Sequence, residues 1–362
     1  MHIINLRAAL LAIFGVAGLC AVAAACLPDN PYQRWQLIEG TLYDNARWPY
    51  ERAHFDPAPV DVAILGSSRA RLGLSAPRIA ATLGRLGQPA CVANMAVIED
   101  GRNIEWAIAD QLLATKSPRV LVIAVNETPG RWGHPGFKYV APASAIAWPS
   151  SPLLHNSFYD IGYLPYRQLR LFAASLWPGT FGLRTRFDPQ RYSASRTDDS
   201  ISHVQEDGKR IEMDRPVPRD VLQAQAAKAR ARPASSMVPR AVTGWTDADE
   251  KTYITAIADL ARQHGTRLAF VFLPQFGGST MIEYRDFYAQ FGMVIDNGDL
   301  AQRDGLFQGW AHLNRAGAVI ASDRVAGAIA PLLAGEAAAT PDKAPLHRDA
   351  ATCAGAGAQG SS

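Results

Sequence analysis

Residues 61–73 read DVAILGSSRARLG. Four apolar residues, Val62 to Leu65, run straight into Gly66, Ser67, Ser68 and Arg69, which predicts a strand ending in a tight turn that presents a serine. An unbroken apolar run of this length suits a central strand buried on both faces. Gly66 supplies backbone freedom where the chain must bend. Ser68 then falls at the strand's carboxyl end, the edge at which open α/β sheets bind their ligands. Gly-Ser-Ser is also ordinary loop composition, so a chemical reading needs a second group. A serine hydroxyl is a poor nucleophile unless a nearby base takes its proton. The candidate base is His312, in the stretch 310–317, WAHLNRAG, at the entry to the last predicted helix.

Beyond the turn, Ser75 reads as a helix cap with Pro77 in the first turn, followed by Ile79, Leu83 and Leu86 at helical spacing. Ala90 to Asn94 is a second short strand, and Met95 to Gly101 a loop at the same edge. Asn103 to Ala114 is a helix with Ile104, Ile108, Leu112 and Leu113 on one face, leading to the strongest strand, Arg119 to Val125. Alternating strands and helices with buried-type strands predict a parallel sheet with helices on both faces. The pattern breaks from Arg131 to about Thr243 and resumes with a helix from Asp247, strands at Leu268–Leu273 and Met293–Ile295, and a closing helix from Arg315 to Leu333. So long a break inside a compact domain marks an insertion with a function or fold of its own. It is expected to pack over the sheet's active edge, with His134 as a structural or solvent-exposed residue rather than a catalytic one. Between Asn30 and Pro59 a short helix near Arg34–Tyr43 and an extended connection are expected.

The 362 residues carry 36 Lys and Arg against 33 Asp and Glu, a formal charge of +3. No basic cluster is interleaved with aromatics, which argues against a nucleic-acid partner. Ala8 to Pro28 contains no charge and is long enough for one membrane span of about 20 residues. Arg7 before it and Asp29 after it predict an uncleaved signal anchor with everything beyond exported to the periplasmic side. A cleaved signal peptide, a lipoprotein signal ending at Cys26 and a buried core helix are the alternatives. The four cysteines show no zinc or disulfide spacing. No metal and no cofactor are expected. Residues 336–362 lack apolar periodicity and read as a disordered tail.

The strand-end serine, the Asn126 that follows the third strand and the His-Leu-Asn-x-x-Gly entry to the last helix together resemble the SGNH (GDSL-like) hydrolase superfamily over most of 60–333. The resemblance implies a three-layer α/β sandwich with a central parallel sheet, a flavodoxin-like fold, over 60–335. It implies Ser68 as nucleophile and His312 as base, with the Ser68 amide, Gly101 and Asn126 as oxyanion donors. Ser67 stands where the superfamily's Gly-Asp-Ser has Asp, as in members that are membrane-anchored and linked to cell-envelope acylation. Gly309 stands where the superfamily carries the Asp that orients the histidine. Asp304, Asp299 and Asp296 are candidate substitutes, and a backbone carbonyl holding the ring in a Ser-His dyad is the other option. The implied function is an exported esterase or O-acetyltransferase acting on an envelope or secreted polysaccharide, with a membrane acyltransferase as partner. The alternative is a weak or inactive relative that binds glycan or that partner. A nucleotide binder is disfavoured, because no Gly-rich phosphate loop follows the first strand.

Overall fold

The computed structural model describes residues 6–128, 130, 132–150, 156–193, 198–204, 208–231, 248–337 and 353. The nine strands of this part are β1 Val62–Leu65, β2 Val92–Asn94, β3 Val120–Val125, β4 Ser202–Val204, β5 Arg210–Glu212, β6 Arg267–Phe272, β7 Gly292–Asp296, β8 Phe307–Gly309 and β9 His312–Leu313. Five of them form one parallel sheet in the order β2-β1-β3-β6-β7. The other four make two antiparallel hairpins, β4–β5 and β8–β9.

Every residue of β1 and β3 is buried, as their unbroken apolar composition requires. Side chains alternate between the two faces. Ala63, Leu65, Leu121 and Ile123 pack with Ile104, Ile108 and Leu112 of the Arg102–Thr115 helix and with Ile254 and Ile257 of the Ala248–Gln263 helix. Val62, Ile64, Val120 and Val122 pack on the other face with Ile79 and Leu83 of the Ala76–Arg85 helix and with Val325, Ile329 and Leu333 of the Arg315–Ala337 helix. Each of the valine, leucine and isoleucine side chains among them contributes about 1.5–3 kcal/mol when fully buried. The α/β architecture expected from the sequence, a central parallel sheet flanked by helices, is therefore present. Ser75 caps the Ala76–Arg85 helix as expected, accepting from the Arg78 amide at 3.2 Å.

Two expectations need correction. Residues 47–54 are a helix, Arg47–His54, rather than an extended connection, because Tyr50 and Ala53 fold inward; the Tyr50 ring stacks at 5.2 Å on Trp35 from the Pro31–Gln36 helix. Cys91, just before β2, forms a disulfide with Cys353 across 262 residues, with Cα atoms 5.2 Å apart. Spacing rules detect local frameworks and cannot pair cysteines so distant in the chain, and Cys353 stands within the stretch expected to be a disordered tail. The rest of that tail beyond Ala337 lies outside the described residues. The closing helix starts at Arg315, as the sequence predicts, and His312 just before it sits on β9 of a hairpin.

The 131–243 region is far from structureless in its described parts. It contains the 20-residue helix Ser157–Leu176, the β4–β5 hairpin and the helix Arg219–Ala231. Asp199 pairs with Arg71 at 2.6 Å and Asp198 accepts from Ser75 Oγ at 2.5 Å, so this region is fastened to the residues just beyond Ser68. At the N-terminus, Leu6–Ala25 is a helix whose apolar run, Ala9–Ala25, falls a little short of the roughly 20 residues that cross a bilayer. The Arg315–Gly335 stretch is long and apolar enough, but it packs on the sheet as a core helix.

Candidate active site

Gly66 ends β1 with φ +151°, a backbone state that L side chains rarely adopt, and a Cβ there would come within 2.7 Å of Ala124 and 2.8 Å of Ala70. Only glycine fits. Ser67 then caps the six-residue helix Ser68–Gly73, its Oγ accepting from the Arg69 amide at 3.4 Å. Ser68 is thus the first helical residue, and its amide has no helical carbonyl to bind.

His312 reaches the same point from the far end of the chain. Gly309 pairs with His312 in the β8–β9 hairpin. Asn314 fixes the turn into the closing helix: its Nδ2 donates to the Gly305 carbonyl at 2.6 Å and its Oδ1 accepts from the Gly317 amide at 3.1 Å. The outcome is a hydrogen bond of 2.9 Å between Ser68 Oγ and His312 Nε2, across 244 residues of sequence. A base within hydrogen-bond reach of a serine is the geometry that activates it.

Burial pushes the His312 imidazole down to about 4, with the positive charge of Arg69 and then His203 adding to the effect; Asp100 opposes it. The ring is neutral at pH 7 and available to accept a proton. With Ser68 donating to Nε2, the ring's own proton resides on Nδ1.

The three carboxylates considered as orienters are engaged elsewhere. Asp304 pairs with Arg219 at 2.7 Å, Asp299 with Arg324 at 2.5 Å, and Asp296 with Arg285 at 2.7 Å. Among the described residues none of them bonds His312. Each lies within arginine reach on the surface, which is why proximity in sequence to His312 misleads. Asp100, at the end of the loop after β2, makes no hydrogen bond to the ring; its charge only opposes the lowering of the imidazole.

Asn126 stands level with Ser68 on the neighbouring strand end: Leu65 pairs with Ile123, and each polar residue follows three positions later. Its Nδ2 donates to Asp100 Oδ1 at 3.3 Å. An amide nitrogen has two hydrogens, so one remains for a substrate oxygen. Gly101, beside Asp100, opens the Arg102–Thr115 helix. It lies so close to the His134 backbone that a Cβ at this position would overlap it.

His134 is structural, as expected, and it is wholly buried. Its Nδ1 accepts from the Gly136 amide at 2.9 Å, so Nε2 carries the proton and donates to the Ile98 carbonyl at 2.7 Å. Its own amide donates to Asn103 Oδ1 at 2.8 Å. These bonds fasten the loop 98–101, in which Glu99 takes φ +69° and which ends in Asp100 and Gly101.

Four neighbours of the Ser-His pair escaped the sequence reading: Asp100, His203, Arg69 and Glu127. Arg69 donates to Glu127 Oε2 at 2.6 Å and to the Leu273 carbonyl at 3.3 Å, while Glu127 Oε1 accepts from the Gln275 amide at 2.9 Å. This clamp joins the carboxyl ends of β1, β3 and β6. Its signal was present in the sequence, since Arg follows Ser68 and Glu follows Asn126 on adjacent parallel strands. His203 and Asp100 had no such signal, because each arrives on a loop or hairpin whose position depends on the whole fold.

No protein-family model matches this chain, and no curated protein matches it.

Proposed function

We propose that this chain is a serine acyl-transfer enzyme of SGNH type, with a flavodoxin-like three-layer fold, anchored by an N-terminal membrane span with its main domain on the periplasmic side. The observation that carries the reading is the 2.9 Å bond between Ser68 Oγ and His312 Nε2 at the carboxyl edge of a parallel sheet. In this mechanism Ser68 Oγ attacks the carbonyl carbon of an ester as its proton passes to His312 Nε2. The carbonyl oxygen becomes an oxyanion held by the Ser68 amide, the free hydrogen of Asn126 Nδ2 and the amide of Gly101. Collapse of this tetrahedral species expels the alkoxide, which takes the proton from His312 and leaves Ser68 acylated. A sugar hydroxyl, or water, then gives its proton to His312 and attacks the acyl carbon; the bond to Ser68 Oγ breaks, and Ser68 takes the proton back from His312. The first acceptor gives O-acyl transfer and the second gives hydrolysis.

An acetyl group on an envelope or secreted polysaccharide is the substrate this reading assigns, with a membrane acyltransferase supplying the acyl group. The exposed apolar side chains along Leu10–Val22 support the anchor. The Cys91–Cys353 disulfide supports export, since such bonds persist in oxidising compartments. Asp100 supports turnover by favouring the imidazolium that forms on proton transfer.

A second reading has one observation in its favour: no carboxylate bonds His312 among the described residues, and replacing the triad Asp of a protease by Asn lowers turnover by about 10⁴. On that reading the cleft binds glycan or the acyltransferase without turnover. Hydrolysis of p-nitrophenyl acetate by the full chain in detergent separates the two. The enzyme reading predicts a rate that Ser68→Ala abolishes, whereas equal rates in both proteins would leave only the binding reading.

A further inference from the structure

The Ser157–Leu176 helix buries Leu164, Leu171 and Ala174, yet it also turns polar groups inward and large apolar ones outward. Its buried positions include Asp160, Arg167 and Gln168, while Phe158, Tyr159, Ile161, Tyr166, Leu169 and Leu176 face outward. On a helix that meets water the polarity runs the other way. The inward polar groups have fixed partners: Arg167 Nη1 donates to the Lys138 and Ala141 carbonyls at 2.9 and 2.7 Å, and Gln168 Nε2 donates to the Leu27 carbonyl at 2.7 Å. The outward face is largely open, with Phe158 80% exposed and Leu169 54% exposed. Trp148, just past the Ala143–Ala147 helix that packs against this one, is 84% exposed. An exposed apolar surface of this extent marks an interaction site.

Its surroundings identify the occupant. The Leu6–Ala25 helix packs along this same helix, and Ala25 joins the cluster formed by Ala107, Phe137, Ala141, Ile146 and Leu164. Leu11, Phe14 and Leu19 on the N-terminal helix are also exposed, so two apolar helices share one side of the molecule. We infer that the Ser157–Leu176 helix lies in the surface of a phospholipid bilayer, its Phe158–Leu169 face at the acyl-chain boundary, beside the N-terminal span. The inference rests on the membrane anchorage proposed above. An interfacial helix carries aromatic and leucine side chains on the face it sinks about 5–10 Å into the bilayer, and tyrosine and tryptophan are enriched at that depth. Asp160, Arg167 and Arg170 break the helix's apolar character, which fits a helix lying on the membrane rather than crossing it. Two attachments at one side would hold the domain at a fixed attitude to the membrane, where a single span would let it swivel.

The test uses the full chain, with Cys20→Ser and Cys26→Ser, in vesicles of equimolar phosphatidylethanolamine and phosphatidylglycerol. One spin label is placed at Leu19→Cys, Phe158→Cys, Leu169→Cys or Gln223→Cys, the last an exposed site on the Arg219–Ala231 helix. Collisions with oxygen and with a water-soluble nickel chelate give a depth parameter for each label. Positive values at Phe158 and Leu169, with a negative one at Gln223, are expected. Negative values at Phe158 and Leu169 with a positive one at Leu19 would overturn the inference while the anchor stands. Low collision rates with both reagents would show the face covered by protein, a second copy or a membrane partner, and would also overturn it. A negative value at Leu19 with positive values at Phe158 and Leu169 would remove the span and keep the surface helix, and negative values at all three would remove both.

Discussion

Protonating His134 opposes the fold directly. Its ring accepts at Nδ1 from the Gly136 amide and donates at Nε2 to the Ile98 carbonyl, so an added proton at Nδ1 would face another donor. Burial holds the imidazole down at about 4, against an ordinary value of 6.5. Because the folded value is the lower one, the unfolded chain takes up the proton first. Stability is therefore complete above pH 6.5, falls as the pH drops, and levels off once it has passed below about 4. A gap of this size is worth about 3 kcal/mol, a large share of the 5–15 kcal/mol roughly typical of a domain. His312 loses stability in the same window and in the same direction. Urea unfolding of the full chain, measured at steps between those two pH values, should show a steep loss of free energy. His134→Gln keeps a donor for Ile98 and has no such titration, so its loss across the window should be about half that of the wild type, if the two histidines carry most of it. Identical pH slopes in the two proteins would refute this role for His134.

Asn126→Ala should lower the esterase turnover by about 10²–10³ while leaving unfolding little changed, as removal of one oxyanion donor does elsewhere; full turnover would exclude the side chain from that role. Gly66→Ala should destabilise the fold by roughly 1–3 kcal/mol, read as a lower urea midpoint, since its Cβ overlaps Ala124 and Ala70. Cys353→Ser should cost about 2–4 kcal/mol through the released chain entropy, and mass spectrometry of the unreduced wild type should show the Cys91–Cys353 linked peptide.

The sheet was legible because its strands are unbroken apolar runs between helices with clear caps. Val62–Leu65, Val120–Val125 and the Ser75 cap lie where the sequence places them. The helix Arg47–His54 was missed because only the packing of Tyr50 against Trp35 decides the conformation of that stretch. Within the site, Ser68 and His312 were legible from local context and do meet. The carboxylate whose charge reaches the ring was not, and among the described residues none bonds it. Asp304, Asp299 and Asp296 are near His312 in sequence, yet the arginines that claim them come from elsewhere in the fold. Asp100 is more than 200 positions from His312, and its relation to the ring exists only once β1, β2 and β3 are side by side. The exposed apolar face of the helix Ser157–Leu176 was hidden for a related reason. Its mixture of aromatic and charged residues has a readable stripe only after the buried side is known.

The proposed chemistry depends most on His312 making Ser68 a nucleophile. Reaction of the full chain with a fluorophosphonate, followed by peptide mass spectrometry, measures this at the atom concerned. Modification confined to Ser68, absent in His312→Ala, and lost in wild type as the pH falls through about 4 is the predicted result. A Ser68 that stays unmodified, or one modified equally fast without His312, would contradict it.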